Sequence, residues 1–216
     1  MSAHPLASIL HDAAHGRFPR FDGLVEVTPS PGPPCDALVA FTGHYVLAAD
    51  VDAGDVSAQW PPGELTLPFS PEAQLWLGDR LGLAPLTHDV LLASIADGSG
   101  APHWLHRDDS FVHPRVGEAS HFRSIESIWV TEDGAGFVMV GRGLCGRWEV
   151  GYEVAPELRV SGLGRKIVAA ARGLVPAGEP LWAQVAPGNA ASMRSTLAAG
   201  FVPVGAEVLF TSRWRG

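Results

Sequence analysis

The chain has 216 residues, of which 46% are hydrophobic, and a formal net charge of −8. This length is enough to bury a substantial core, either as one compact α/β domain or as two small ones. The acidic balance argues against a sequence-independent grip on nucleic acid, which needs clustered lysines and arginines, and against docking on anionic lipid.

Cysteine content and hydropathy predict a cytoplasmic protein. Cys35 and Cys145 are the only cysteines, too few for a disulfide framework. Residues 1–18 lack the basic segment and the apolar core of a signal peptide. No window of about 18 apolar residues predicts a membrane span. We therefore expect neither a membrane nor a nucleic-acid partner.

The first half of the chain predicts short helices and strands. The predicted elements are a helix around 6–13, a strand at 24–27, two strands within 37–49 joined at Thr42-Gly43-His44, a helix from Ser70 to Gly82, and a second helix after Thr87. Ser70-Pro71-Glu72 combines an N-cap, a first-turn proline and a first-turn acid. Val90, Leu91 and Ile95 are expected to face inward from the second helix. Residues 99–114 are polar and rich in histidine, which indicates an irregular loop.

The second half predicts a strand-rich core. Its predicted elements are a hairpin of 125–130 and 136–144, a strand at 148–154, a helix from Leu163, a strand at 181–185, a helix after Asn189 and a strand at 202–210. The first of these helices is expected to bury Ile167 and Val168, and the second Met193 and Leu197.

Residues 159–164 form the most informative segment, because they read as a tight glycine loop between a strand and a helix. Such loops expose backbone N–H groups at a helix N-terminus, where phosphate binds well. Arg165 and Lys166 stand in the first helical turn, where the macrodipole disfavours cations unless an anion shares the site. A rigid turn is the alternative. The dinucleotide fingerprint fails because Ile167 replaces its third glycine.

A second motif follows the loop at a suitable distance. Pro187-Gly188-Asn189 opens a helix that closes with Gly200-Phe201 and leads into a strand. The loop motif Arg-x-x-Gly-x-Gly at 159–164, preceded by Val154-x-Pro156, together with this second block, resembles the GCN5-related N-acetyltransferases. The resemblance covers roughly residues 120–212.

The resemblance implies a mixed, mostly antiparallel sheet flanked by helices. Residues 119–216 would form the acyl-CoA-binding core, and residues 1–118 an α/β extension that shapes the substrate site or represents a degenerate half. The implied activity is transfer of an acetyl group from acetyl-CoA to an amine of a small molecule or a protein. A non-catalytic acyl-CoA-binding module of the same fold is the alternative, and a nucleotide-binding α/β domain is a more distant one. Whether the protein forms a homodimer is left open.

The resemblance also assigns residues to the cosubstrate. It assigns the backbone of Tyr152, Glu153 and Val154 to the pantetheine arm, and Arg159, Val160, Ser161, Gly162, Leu163, Gly164 and Arg165 to the pyrophosphate. Asn189 would contact the pantetheine region, although it also suits a helix cap.

Catalysis would need a base for the amine and a proton for the leaving thiolate. Glu149 is the first choice for the base. Glu153 and Glu126 are alternatives for the base. Each of the three carboxylates could instead lie on a solvated strand face and have no catalytic role. Thr196 stands where many family members have a tyrosine, so the acid is open among Ser192, Ser195 and Tyr152, with Tyr152 taken as the catalytic candidate.

No metal is predicted. His103, His106 and His113 do not have the spacing of a zinc site, and cysteine partners are lacking nearby.

Overall fold

A computed structural model describes residues 4–63, 66–159 and 161–212. The chain forms two compact units, one of residues 1–90 with 204–216 and one of residues 91–203. None of the helices in the described ranges is long and apolar enough to span a membrane.

The first unit contains α1 (Pro5–Ala14), β1 (Val25–Thr28), β2 (Asp36–Phe41), β3 (His44–Ala48), α2 (Ala53–Gln59), α3 (Pro71–Leu81) and β4 (Ala84–Pro85). Its strands lie in the order β1-β3-β2-β11, where β11 is Val202–Thr211, and β4 also pairs with β11. The β2–β3 hairpin and the β11–β2 pair are antiparallel, whereas β1 and β3 are parallel. Leu38, Leu47, Leu77 and Phe210 belong to its buried core.

The second unit contains β5 (Asp89–Ile95, most of it in this unit), β6 (Leu105–Arg107), α4 (Pro114–Ala119), β7 (Ser124–Thr131), β8 (Gly136–Arg142), β9 (Trp148–Val154), α5 (Leu163–Ala170), β10 (Pro180–Val185) and α6 (Ala190–Ala198). Its strands lie in the order β5-β10-β9-β8-β7-β6. Neighbouring strands from β6 to β9 are antiparallel, and β10 is parallel to β9. The prediction of a mixed, mostly antiparallel sheet flanked by helices is confirmed.

The two sides of the β7–β9 sheet are covered differently. Phe137 and Met139 of β8 pack with Ile128 on one side, against apolar residues that precede or belong to α4. α5 packs against β8 and β9 and against α6. α5 therefore covers the face of β9 that carries Tyr152 and Val154.

Local sequence signals fix several element ends. The Ser70 hydroxyl accepts a hydrogen bond from the Ala73 amide at 3.1 Å, and Gly82, at φ +66°, ends α3 in the left-handed region. The Thr42-Gly43 turn joins β2 to β3 as predicted. These signals are read correctly because capping and turn geometry depend on neighbours in the chain.

Three local predictions are wrong. The segment after Thr87 is the strand β5, because Leu91, Leu92 and Ala93 are buried in succession, a pattern that does not separate a buried strand from a helix. The loop at 99–114 contains β6 and the start of α4. Leu197 is 42% exposed, and Thr196 is the residue that α6 buries.

The division of the chain follows strand pairing. β11 comes from the C-terminal end but belongs mainly to the first unit, where it pairs with β2. The predicted boundary between residues 118 and 119 separates the expected acyl-CoA-binding core from the N-terminal extension. This division stays a prediction.

Candidate functional site

The parallel strands β9 and β10 pair only where both begin. Their paired positions are Leu181 with Trp148 and Trp182 with Glu149, although β9 continues to Val154 and β10 to Val185. On its other side β9 pairs with β8 along its whole length. Among the described residues, the second half of β9 therefore has no strand paired to the edge that faces β10, and β9 and β10 diverge there.

A cleft of about 350 Å³ follows this free edge. Tyr152 and Glu153 both line it, although successive side chains of a strand point to opposite faces. A cleft lined by both must pass around the edge of the strand. The lining residues are Arg115, Tyr152, Glu153, Val154, Leu158, Arg159, Gly162, Gly164, Asn189, Ala191, Ser192 and Ser195.

The glycine loop forms one end of the cleft. Gly162 immediately precedes α5 and has a φ of +87°. Residues with a Cβ rarely adopt this left-handed conformation. Among the described residues, the amides of Gly162, Gly164 and Arg165 have no hydrogen-bond acceptor. The Ser161 hydroxyl donates to the Leu158 carbonyl at 2.7 Å and accepts from the Leu163 amide at 3.3 Å. Part of the loop is thus capped internally by its own serine.

Gly164 lies where the loop, β9 and α6 come together. A Cβ at this position would lie 3.5 Å from Ser195 Oγ, 3.5 Å from Tyr152 Cε2 and 3.6 Å from Val154 Cγ2. The absence of a side chain at Gly164 therefore keeps this part of the cleft open.

α6 forms the opposite wall. The Asn189 side chain accepts a hydrogen bond from the Ser192 amide at 3.1 Å, so Asn189 is the N-cap of α6 and also lines the cleft. The Tyr152 hydroxyl lies 3.4 Å from the Ser192 carbonyl oxygen and 3.4 Å from Thr196 Oγ1. Tyr152 thus connects β9 to α6.

Charged side chains stand at the loop end of the cleft. Glu153 Oε1 lies 3.7 Å from Arg159 Nη2, and Glu153 Oε2 lies 4.0 Å from His113 Nδ1. Arg115 lines the same cleft from the first turn of α4. Counting Arg115, Glu153 and Arg159, the lining carries one net positive charge, which favours an anionic ligand.

Glu149 lies in a buried ionic network instead of the cleft lining. Its carboxylate is 2.7 Å from Arg147 Nε and 3.1 Å from Arg123 Nη2, and Arg123 also donates to Gln184 Oε1 at 3.3 Å. Burial by itself would raise the pKa of the Glu149 carboxyl. The charges of Arg123 and Arg147 outweigh that effect and hold the pKa below its ordinary value. Arg123 thereby links β9 and β10 next to their last paired position.

Comparison with known proteins gives matches among solved structures alone. Scans of protein-family models and of curated proteins find no match. The chain is similar to a GCN5-related N-acetyltransferase from Kribbella flavida, with 17% identity, 64% of this chain and 63% of that chain covered, and a TM-score of 0.41. It is also similar to a GNAT-family acetyltransferase from Colwellia psychrerythraea, with 11% identity, 59% and 57% coverage and a TM-score of 0.38.

A third similar structure is a conserved protein of unknown function from Staphylococcus epidermidis, with 15% identity, 63% and 65% coverage and a TM-score of 0.38. In each case the match spans less than two thirds of the other chain. All three TM-scores lie below 0.5, so these similarities assign neither a fold nor an activity to this chain. The family resemblance therefore continues to rest on the two sequence motifs.

The cleft brings together most of the residues assigned to the cosubstrate. Seven of them line it, namely Tyr152, Glu153, Val154, Arg159, Gly162, Gly164 and Asn189. Ser161 and Leu163 support the loop, and Arg165 is exposed outside the cleft lining. Val160 lies outside the described residues. The assignment of these residues to a ligand stays a prediction.

Sequence reasoning missed Arg115, Leu158 and Ala191 as lining residues. Arg115 carries no motif and reaches the cleft through the fold, so no sequence signal identified it. Leu158 stands directly before the Arg159 motif, and Ala191 lies within the block that follows Asn189. Leu158 and Ala191 are neighbours of the two motifs in the chain, and this proximity could have identified them as lining residues.

The hydrogen-bonding groups along the cleft fit an acyl-CoA. Amides at the start of α5 and the Arg159 guanidinium suit a diphosphate, and the free edge of β9 offers backbone groups to an amide-containing chain such as pantetheine. The lack of a side chain at Gly164 keeps open the space between these two parts. Among the described residues, no group of three His, Cys, Asp or Glu side chains is arranged to hold a metal ion.

Proposed function

We propose that this protein binds an acyl-CoA, with acetyl-CoA as the first candidate, and transfers the acyl group to an amine. The observation that carries the proposal is the cleft along the free edge of β9, which is closed at one end by the glycine loop. The loop would hold the diphosphate, and the diverging strands would admit the pantetheine arm. The acceptor would be an amine of a small molecule or a protein.

The reaction joins the amine nitrogen to the thioester carbonyl carbon and breaks the carbon–sulfur bond. The attacking nitrogen loses a proton, and the leaving thiolate gains one. Tyr152 is the candidate for the second proton transfer, because its hydroxyl lies between β9 and α6, next to Thr196. A neutral phenol is a suitable donor to a thiolate, and a thiolate leaves readily enough that a weak acid suffices.

Glu149 remains a prediction as the base, but its surroundings favour a positioning role. A carboxylate held by two arginines, with a lowered pKa, is a weak base. Its contacts instead hold the two strands at the point where they diverge. Glu153, the alternative base from the same strand, lies beside Arg159 at the loop end of the cleft, where the diphosphate is expected, and this position disfavours it as the base.

Calorimetric titration of the full chain with CoA and acetyl-CoA tests the binding part of the proposal. We expect dissociation constants well below 1 mM, because a diphosphate contributes several charge-assisted hydrogen bonds. Absence of heat at millimolar ligand would overturn the proposal.

A non-catalytic acyl-CoA-binding module is the second candidate function. It is favoured by Thr196, a buried threonine at the position where the resemblance expects a tyrosine. Thiol release from acetyl-CoA, measured with a broad panel of amines and compared with hydrolysis without amine, separates the two. Amine-dependent release supports the transferase, and tight binding without such release supports the module.

A further inference from the structure

The loop end of the cleft contains an acidic side chain where an anionic ligand is expected. Glu153 points into the cleft from β9, and the cations Arg115 and Arg159 line the same space. Its closest cationic atom is Arg159 Nη2 at 3.7 Å. At this distance the contact is an ion pair without a good hydrogen bond.

The start of α4 is held close to the same carboxylate. His113 Nδ1 accepts a hydrogen bond from the Arg115 amide at 3.2 Å and lies 4.0 Å from Glu153 Oε2. Because Nδ1 is the acceptor for that amide, it cannot also donate a proton to Glu153. The Glu153 carboxylate thus lies beside one arginine and is not fixed by a short hydrogen bond to Arg159 or to His113.

This geometry differs from that of Glu149 on the same strand. Glu149 is buried and makes contacts of 2.7 and 3.1 Å with its two arginines. The Glu153 side chain retains 31% of its exposure, and that of Arg159 retains 59%. Such long, exposed ion pairs are weak, so a phosphate, whose non-bridging oxygens share its negative charge, can replace the carboxylate.

We propose that Arg115 is a second phosphate-binding residue of the cleft, and that Glu153 is the counter-ion that the phosphate displaces from Arg159. This inference rests on the proposed function, since it concerns the anionic part of the same ligand. In the free protein Glu153 keeps Arg159 directed towards the cleft. On binding, a phosphate occupies the space between Arg115 and Arg159, and the Glu153 carboxylate turns towards solvent.

The consequence is unusual for a residue that lines a binding site, because removing the charge of Glu153 should tighten binding. Glu153→Gln keeps the shape of the side chain and removes both the competition for Arg159 and the repulsion of the ligand. Arg115→Gln removes one positive charge and should weaken binding. A neutral ligand should be insensitive to both changes.

The experiment is calorimetric titration of the full-length chain with CoA and, separately, with inorganic pyrophosphate at low salt. Matched controls are Glu157→Gln and Arg194→Gln, since both residues are exposed and outside the lining of this cleft. We expect Glu153→Gln to tighten binding of both ligands by about three- to tenfold and Arg115→Gln to weaken it by about tenfold, the range for one charge-assisted contact. The controls should stay within about twofold.

The outcomes separate this inference from the proposed function. If CoA binds but Glu153→Gln leaves the affinity unchanged or lowers it, the counter-ion role is wrong and the proposed function stands. If Arg115→Gln behaves like Arg194→Gln, the second phosphate contact is wrong. If only pyrophosphate binds and follows the expected pattern, the inference stands and the CoA proposal fails. If no variant binds either ligand, both are overturned.

Discussion

The phenol oxygen of Tyr152 on β9 lies 3.4 Å from Oγ1 of Thr196 on α6. The resemblance expects a tyrosine at position 196, yet here the helix supplies a buried threonine and the neighbouring strand supplies the tyrosine. The two hydroxyl groups meet beside the cleft. The proposed function therefore takes its candidate proton donor from β9 and not from α6.

We predict that Tyr152→Phe lowers the rate of thiol release by about 10²-fold, the lower end of the range for acid–base catalysis. The affinity for CoA should change little. Stability should also change little, because hydrogen bonds of 3.4 Å are weak. Thr196→Val, which removes the neighbouring hydroxyl group, is the matched control. If Tyr152→Phe released thiol at the same rate as the wild-type protein, Tyr152 would be excluded as the acid.

Gly164→Ala should separate stability from binding. The added Cβ would make ordinary van der Waals contacts of 3.5–3.6 Å with Tyr152, Ser195 and Val154, so the free protein accommodates it. Alanine favours a helix over glycine by up to about 1 kcal/mol. The methyl group narrows the cleft, and we expect CoA affinity to fall at least about tenfold while the melting temperature is retained or rises.

Thermal unfolding and titration of the same Gly164→Ala preparation check this prediction. A parallel loss of melting temperature and affinity would show that Gly164 serves the fold alone. Unchanged affinity would place the ligand elsewhere.

Arg159→Gln should weaken CoA binding more than Arg165→Gln. Arg159 lines the cleft, whereas Arg165 is exposed on the first turn of α5. We expect about a tenfold loss for Arg159→Gln, from one charge-assisted contact, and about a twofold loss for Arg165→Gln, from its screened field. Titrations at two salt concentrations measure both losses, and a larger effect at Arg165 would move the diphosphate out of the cleft.

Glu149→Gln should destabilise the protein strongly. The change leaves Arg123 and Arg147 without the carboxylate that both contact, and breaking a buried ion pair costs about 3–5 kcal/mol. Denaturant unfolding at pH 7 measures the loss. Glu153→Gln is the control on the same strand, where we expect a change within about 0.5 kcal/mol because its ion pairs are long and exposed.

The pH dependence follows from the direction of the pKa shift. The pKa of Glu149 is lowered in the folded state, so its carboxylate stabilises the fold above its ordinary pKa. That stability is lost as the pH falls through the lowered value. Unfolding free energies of the wild-type protein should therefore decrease steeply in acid, and Glu149→Gln should show a shallower decrease. Equal slopes would contradict the assignment.

Local signals made much of the second unit predictable. The hairpin turn after Thr131, the glycine at positive φ before α5 and the Asn189 cap all depend on a few consecutive residues. The resemblance to an acyl-CoA-binding loop depends on the same kind of signal. The sequence does not reveal the β5 strand, because its four consecutive buried residues obscure the alternation by which strands are recognised.

The surroundings of the carboxylates could not be predicted. Glu149 and Glu153 lie on the same face of one strand, and from the sequence both suit a catalytic role. Arg123 and Arg147 surround Glu149 from two separate segments, whereas Glu153 stays near the cleft surface. Arg147 is a near neighbour of Glu149 in the chain, whereas Arg123 precedes β7, so the surroundings of Glu149 depend on a contact between distant segments.

The amino-acid sequence by itself determined the loop, its glycines and the helices that follow each motif, because dihedral preference and capping act over short distances. Only the tertiary structure decided that β9 and β10 diverge after Glu149, since strand divergence results from pairing and packing across the unit. The cleft follows the edge of β9 that this divergence leaves unpaired, and the packing of α4 brings Arg115 to the same cleft as residues 153 and 159.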